Sequence, residues 1–262
     1  MDKRPLALVT GASSGIGAAY AQRFAKDGFD LIVVARRTER LKELSDRLQK
    51  QYGVDVEVLT ADLTVSKDIA RVTSRIEGSP GLERLVNNAG FGGFRPFKDL
   101  NYAQIDALID VHVRAVTHLT RAAIGVMLSK GSGAVINVSS LMALGGGFPP
   151  ERLPKRATYV GAKSFMVTFT QTLAQEVAET PVRVQICLPP VVATEFYGGR
   201  QTPIPPMQAD DVVDASLVAL QRNEVVCIPG LDDPSLIERL TTAQRELYFA
   251  GVRPAKSSRY NV

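Results

Sequence analysis

Short apolar runs alternate along this chain with longer stretches whose apolar residues recur at helical spacing. Leu6-Ala7-Leu8-Val9 predicts a first strand and Gly15 to Lys26 a helix. Leu31-Ile32-Val33-Val34 is a second strand, followed by a charged amphipathic helix from about Thr38 to Gln51. Val56 to Leu59 and Leu82 to Val86 are further strands, with a helix over Lys67 to Ile76 between them. A long helix is expected from about Asp106 to Ser129, then a strand at Ala134 to Val138 and a helix from about Arg156 to Ala178. Val182 to Leu188, a helix at Asp210 to Leu220, a short strand at Glu224 to Ile228 and a tail helix near Pro234 to Phe249 complete the series. Repeated strand–helix units of this kind predict a seven-stranded parallel α/β sheet covered by helices on both faces. Two irregular stretches, Gly145 to Lys155 and Val192 to Pro206, are loops. Loops beyond the strand C-termini are where such sheets bind ligands, so 192–206 is the expected substrate-binding region.

At 262 residues the chain is expected to form one domain, 1–262. Hydrophobic residues at 45% and charged residues at 22% leave ample material for a two-sided core. The net charge of +4 is mild and its Lys and Arg are scattered, with small clusters at Arg152, Lys155, Arg156 and at Arg253, Lys256, Arg259. No basic stripe with interleaved aromatics occurs, which argues against nucleic-acid binding. The apolar run after Met1-Asp2-Lys3-Arg4 is cut at Thr10-Gly11, too short for an export signal, and no run approaches a membrane helix. Cys187 and Cys227 lie in strand-like apolar runs and read as reduced core thiols, which fits a cytoplasmic protein. No metal site is expected.

Candidate chemistry begins between the first strand and first helix, at Thr10-Gly11-Ala12-Ser13-Ser14-Gly15-Ile16-Gly17. Glycine there permits a tight turn and close backbone approach to a diphosphate, and the helix N-terminus offers free N–H donors. This strand–turn–helix context points to a dinucleotide. At the end of the second strand, Arg36 and Arg37 stand where NAD-type sites offer a carboxylate. A guanidinium binds a 2′-phosphate that a carboxylate repels, which favours NADP(H) over NAD(H). The bland reading is that both arginines only solvate the next helix. Tyr159 and Lys163 are four apart and share a helix face. A lysine beside a tyrosine is expected to lower the phenol pKa from its usual value of about 10.

Taken in order, Thr10-Gly11-xxx-Gly15-x-Gly17, Asp62-Leu63, Asn87-Asn88-Ala89-Gly90, Ser139-Ser140, Tyr159-xxx-Lys163 and Pro189 to Thr194 resemble the short-chain dehydrogenase/reductase family, single-domain and NADP-preferring. The arginine pair and Asp110 to Leu119 look most like a large bacterial subgroup of uncharacterised oxidoreductases. The resemblance implies a Rossmann-like doubly wound sheet and hydride transfer between NADP(H) and a carbonyl or secondary alcohol. It places Asp62 and Leu63 beside the adenine, and Asn88, Ala89 and Gly90 against the cofactor. Ser140, rather than Ser139, is the implied catalytic serine, Tyr159 the proton donor, and Lys163 the partner of the nicotinamide ribose. Pro189, Val192 and Thr194 would line the nicotinamide site. Family relatives commonly pair through the two long central helices, which implies a homodimer or homotetramer.

Three positions depart from that pattern. His112 stands where the family usually has an asparagine that binds a water linking the lysine to solvent. A neutral imidazole can also accept and donate, so a working relay is the preferred reading; an impaired site or a structural histidine bonded to helix backbone are the alternatives. His118 reads as an ordinary helix residue. Pro190 replaces a common glycine and has neither an N–H nor access to positive φ. Tyr159 lies nineteen positions after Ser140, longer than usual, and the extra length carries Leu144, three glycines and Phe148. With Phe196 and Tyr197 this segment predicts a mainly apolar pocket, with an anionic substrate still open through Arg152, Lys155 and Arg156. The competing functions are a catalytically impaired NADP(H)-binding sensor or scaffold, and a nucleotide-sugar epimerase or dehydratase. The 68 residues after Thr194 are short for the latter's substrate domain.

Overall fold

The computed structural model describes residues 4–149, 156–198 and 204–260. Arg152 and Lys155 of the insertion, and Pro203 of the 192–206 loop, lie outside the described residues. Residues 1–229 and 230–262 form two compact units.

The first unit is built on a parallel sheet of seven strands in the order β3-β2-β1-β4-β5-β6-β7. The strands are β1 (Leu6–Thr10), β2 (Asp30–Ala35), β3 (Val56–Thr60), β4 (Leu82–Asn87), β5 (Gly133–Val138), β6 (Val182–Cys187) and β7 (Val226–Cys227). Strand side chains alternate between faces, and the core divides accordingly. Ala7, Val9, Leu31 and Val33 face one cluster, together with Tyr20 and Phe24 of α1 (Gly15–Lys26) and Leu41 and Leu48 of α2 (Thr38–Tyr52). α7 (Ala209–Gln221) joins this face through Val212, Val213 and Leu217. Leu8, Ile32 and Val34 face the other, with Ile69 and Val72 of α3 (Ser66–Glu77) and Leu119 and Ala123 of α5 (Ala115–Lys130). Strands buried on both sides explain why the sequence shows unbroken apolar runs.

The chain winds outward from β1 to β3, then returns to place β4 on the other side of β1. This reversal opens a crevice at the C-terminal ends of β1 and β4. The loop after β1 carries Gly11 to Gly17 and the loop after β4 carries Asn88 to Gly90, so the topology brings two distant motifs to one rim.

The expected helix from Asp106 to Ser129 begins earlier and is interrupted. α4 (Tyr102–Ile109) starts at a capping box, in which Asn101 accepts from Gln104 N–H and the Gln104 side chain accepts from Asn101 N–H. A π-turn at Asp110–Arg114 then separates α4 from α5, with Ala115 N–H bonded to Asp110 C=O. α6 (Ala157–Glu176) lies close to its expected bounds. β7 is shorter than its apolar run because only Val226 and Cys227 pair with β6. No helix among the described residues is long and apolar enough to cross a membrane. The second unit contains α8 (Ser235–Gly251), near the expected tail helix, and a 3₁₀ turn at Ser258–Tyr260.

Candidate active site

A cleft of about 420 Å³ runs along the rim, from Arg36 and Arg37 at one end to Phe94, Tyr159 and Tyr197 at the other. Of the residues singled out by sequence, Gly11, Ser13, Ser14, Gly15, Ile16, Arg36, Arg37, Asp62, Leu63, Asn88, Ala89 and Gly90 line it. So do His112, Ser140, Tyr159, Lys163, Pro189, Val192 and Thr194. Gly17 does not; it sits behind the loop, where a Cβ would collide with the Gly11 carbonyl oxygen. Its role is to let the loop fold onto the first turn of α1.

The loop is pinned from three directions. Gly11 N–H donates to Val34 C=O at 2.7 Å. Thr10 Oγ1 accepts from Asn88 N–H and Ala89 N–H, both at 3.0 Å. Asn88 Nδ2 donates to Thr10 C=O at 3.0 Å. Gly11 has φ +69° and its missing side chain leaves room for the Ala89 backbone. Such a cradle, ending at a helix N-terminus with arginines beside it, fits a dinucleotide phosphate. Arg37 reaches back over this loop, donating from Nη2 to Ser13 Oγ at 2.9 Å and Ser14 Oγ at 2.6 Å. It therefore does more than solvate α2. Arg36 is more exposed and stands 3.8 Å from Asp62 Oδ2. Asp62 Oδ1 accepts from Thr64 N–H and Oγ1–H, which fixes the turn after β3.

At the other end β5 and α6 present Ser140, Tyr159 and Lys163. The two serines divide their work. Ser139 Oγ donates to Lys163 C=O at 2.9 Å and ties α6 to β5, whereas Ser140 Oγ accepts from Met142 N–H at 3.2 Å. Ser140 is also near enough to Tyr159 to pull the phenol pKa down. Lys163 Nζ donates to Val138 C=O at 2.9 Å. The α6–β5 register is further locked by a buried polar chain that sequence reasoning did not single out. Asn87 Nδ2 donates to Asn137 Oδ1 at 2.9 Å, and Asn137 Nδ2 donates to Thr170 Oγ1 at 2.8 Å. Polar residues inside otherwise apolar strands were its visible signal.

The electrostatics correct one expectation. Lys163 does not lower the phenol of Tyr159; burial pushes Tyr159 up to about 12, against smaller downward pulls from Ser140 and Arg156. Burial instead pushes Lys163 down to about 7, so its amine changes charge near neutral pH.

His112 occupies the π-turn with 1% exposure, and Nε2 lies 3.0 Å from Phe91 C=O. A carbonyl only accepts, so Nε2 carries the proton and Nδ1 is the acceptor. Nδ1 is buried without a hydrogen-bond partner in the protein. Burial, then the neighbouring Lys163, hold the imidazole well below its usual pKa, hence neutral. Its bond runs to a loop carbonyl, not to helix backbone, so that structural reading is set aside. His118 is exposed on α5, as expected.

Pro190 is accommodated without positive φ; among the described residues the only non-glycine there is Asn223. Pro189 C=O accepts from Leu141 N–H at 3.0 Å, and Ala193 N–H donates to Met207 C=O at 2.8 Å, so the segment is held by other contacts. Phe196 and Tyr197 line the cleft as expected, joined by Phe91 and Phe94. Leu144 and Phe148 do not; both are exposed, Phe148 at 59%. Arg156 stacks 4.2 Å above the Phe94 ring. Among the described residues no cluster could hold a metal ion.

A family model described as short chain dehydrogenase matches residues 5–203. An uncharacterized oxidoreductase of Staphylococcus epidermidis is 31% identical, over 87% of this chain and 98% of the relative. A short-chain dehydrogenase from Sphingobium yanoikuyae, solved in complex with NADPH, is 35% identical with a TM-score of 0.92, over 98% of this chain and all of that one. A bulky-bulky ketone specific alcohol dehydrogenase from Comamonas testosteroni is 34% identical with a TM-score of 0.87, over 98% and 99% of the two chains. The motif-bearing rim and these matches lead to one assignment: the chain belongs to the short-chain dehydrogenase family, a family of oxidoreductases.

Proposed function

We propose that this protein is an NADP(H)-dependent oxidoreductase that interconverts a bulky, largely apolar ketone or aldehyde and its alcohol. One observation carries the reading: Ser140, Tyr159 and Lys163 converge at one end of a cleft whose other end is an arginine-flanked glycine cradle. The NADPH complex of the Sphingobium relative and the ketone preference of the Comamonas relative support it.

Gly11 to Gly17, Arg36 and Arg37 would hold the phosphates, and Asp62 and Leu63 the adenine. Asn88 to Gly90, Pro189, Val192, Thr194 and Lys163 would hold the nicotinamide half. A bound nicotinamide cofactor supplies or accepts the hydride. With its pKa pushed up to about 12 by burial, Tyr159 is protonated at neutral pH. It therefore enters carbonyl reduction as the proton donor. Ser140 and Tyr159 place two O–H donors at the carbonyl oxygen, where negative charge grows as the carbon is reduced. Ser140 is oriented for this by accepting Met142 N–H, which directs its own proton elsewhere. Lys163, poised near neutrality, can restore the tyrosine proton, and the acceptor Nδ1 of His112 can hold a water in that path. The aromatic walls Phe94, Phe196 and Tyr197, with ring centroids 5.5–5.9 Å apart, exclude water and fit an apolar substituent.

A reduced cytoplasmic setting suits the buried thiols of Cys187 and Cys227. A homodimer or homotetramer through α5 and α6 suits the stacked, part-exposed Phe165 and Phe169. The test of function is a comparison of NADPH with NADH on a panel of aldehydes and ketones. Faster turnover with NADPH and a bulky ketone is expected; no turnover with any carbonyl favours the sensor reading.

A further inference from the structure

Glu195 opens the 3₁₀ turn Glu195–Tyr197, and its carboxylate joins two guanidinium groups. Arg37 Nη1 donates to Oε2 at 2.8 Å, and Arg40 Nη1 donates to both oxygens at 2.6 Å. These two arginines sit three apart, Arg37 at the N-cap of α2 and Arg40 in its first turn. With its remaining edge Arg37 holds Ser13 and Ser14, so it spans the cleft from the glycine loop to the turn after β6. Together they hold the Glu195 carboxyl below the usual carboxylate range.

The residue after Glu195 is Phe196. Its ring centroid lies 6.2 Å from that of Tyr159 and 5.6 Å from that of Phe94. Thr194, on the other side, packs its methyl group against Gly15. A single short turn thus has one residue on the arginines, one on the glycine loop and one beside the proton donor. Displacing the first removes one of the contacts that hold the third in place.

Resting on the NADP(H) reading above, we propose that Glu195 is a tethered competitor for the adenosine 2′-phosphate, so that phosphate binding at Arg37 and Arg40 and release of the 194–197 turn are one event. A 2′-phosphate brings about two negative charges and three acceptor oxygens, against one charge and two oxygens on the carboxylate. It displaces Glu195 from both guanidinium groups by charge-assisted, bidentate bonding. NADH lacks this group and leaves Glu195 in place. Glu195 is therefore a specificity-determining residue: it lowers affinity for the phosphorylated cofactor alone and links its arrival to the ring beside Tyr159.

The test is direct binding, by calorimetry, of NADPH, NADH and adenosine 2′,5′-bisphosphate to wild type and to Glu195→Gln. NADPH and the bisphosphate are expected to bind roughly three- to tenfold more tightly to the variant, the range of one or two exposed ion pairs, with NADH within about twofold. Unchanged or weaker NADPH binding, or equal tightening of NADH, overturns the proposal. Wild type that prefers NADH and ignores the bisphosphate defeats the NADP(H) reading instead. The chain has no tryptophan, so Phe196→Trp supplies a single reporter of the turn. Its emission should respond to adenosine 2′,5′-bisphosphate and not to ADP, and an equal response to both contradicts the coupling.

Discussion

The ring of His112 meets the ring of Tyr159 edge-on, with centroids 5.6 Å apart and planes at 86°. A neutral histidine, fixed by Phe91 C=O, therefore forms one wall of the phenol's site. His112→Phe keeps the packing and removes both ring nitrogens. It leaves Phe91 C=O without its donor, which costs about 1–3 kcal/mol, and a lower melting temperature checks this. Loss of the Nδ1 acceptor is expected to reduce kcat about tenfold, with His112→Asn recovering most of it. The same substitution changes the acid limb of stability. The folded imidazole resists protonation while the unfolded one takes a proton below about pH 6.5. Stability from this site is thus full above that pH and is lost as pH falls; the Phe variant lacks that slope.

Gly90 owes its place to the same histidine. A Cβ at position 90 would collide with His112 Cε1, so Gly90→Ala must push the ring toward Tyr159 or deform the loop after β4. Destabilisation of about 1–3 kcal/mol in chemical denaturation is expected. The double variant Gly90→Ala/His112→Ala should recover part of it, and additive losses would show that the two residues do not interact.

Lys163 gives a second pH signature. Its folded pKa of about 7 lies below the unfolded value of about 10.4, so over that window the unfolded chain binds the extra proton. Stability rises with pH through the window and levels off above it. Lys163→Met, measured by urea denaturation from pH 6 to 10, should lose this rise; parallel wild-type and variant profiles would place the Lys163 pKa elsewhere.

Arg37 is the cation bonded to both Ser13 and Ser14. Arg37→Ala is expected to weaken NADPH binding about 10- to 100-fold, as loss of a charge-assisted pair does, and to change NADH binding far less. Equal losses for the two cofactors would assign Arg37 to the loop's architecture rather than to the phosphate.

Much of this was legible along the chain because period and punctuation are local. Leu6–Thr10 and Asp30–Ala35 show their burial as largely apolar runs, and Gly11 and Gly15, with φ of +69° and +56°, mark the turn from β1 into α1. Ser139 Oγ donates to Lys163 C=O, a contact between β5 and α6 that the adjacent serines do not announce. What the chain hid is what depends on three dimensions. Glu195 meets Arg37 across 158 residues, and nothing in either neighbourhood announces the pair. Asn87 and Asn137 bond across adjacent strands whose order a linear reading leaves open. The Tyr159–Lys163 spacing promised a lowered phenol pKa, but burial acts on both groups and outweighs their proximity. The exposure of Leu144 and Phe148, both apolar, likewise has no mark in the sequence.

The proton-donor role of Tyr159 is tested most directly by Tyr159→Phe, assayed for NADPH oxidation with a bulky ketone alongside direct titration of NADPH. Turnover is expected to fall roughly 10²–10⁴-fold, with the NADPH dissociation constant changed less than about threefold. Turnover that survives at the wild-type rate would contradict it.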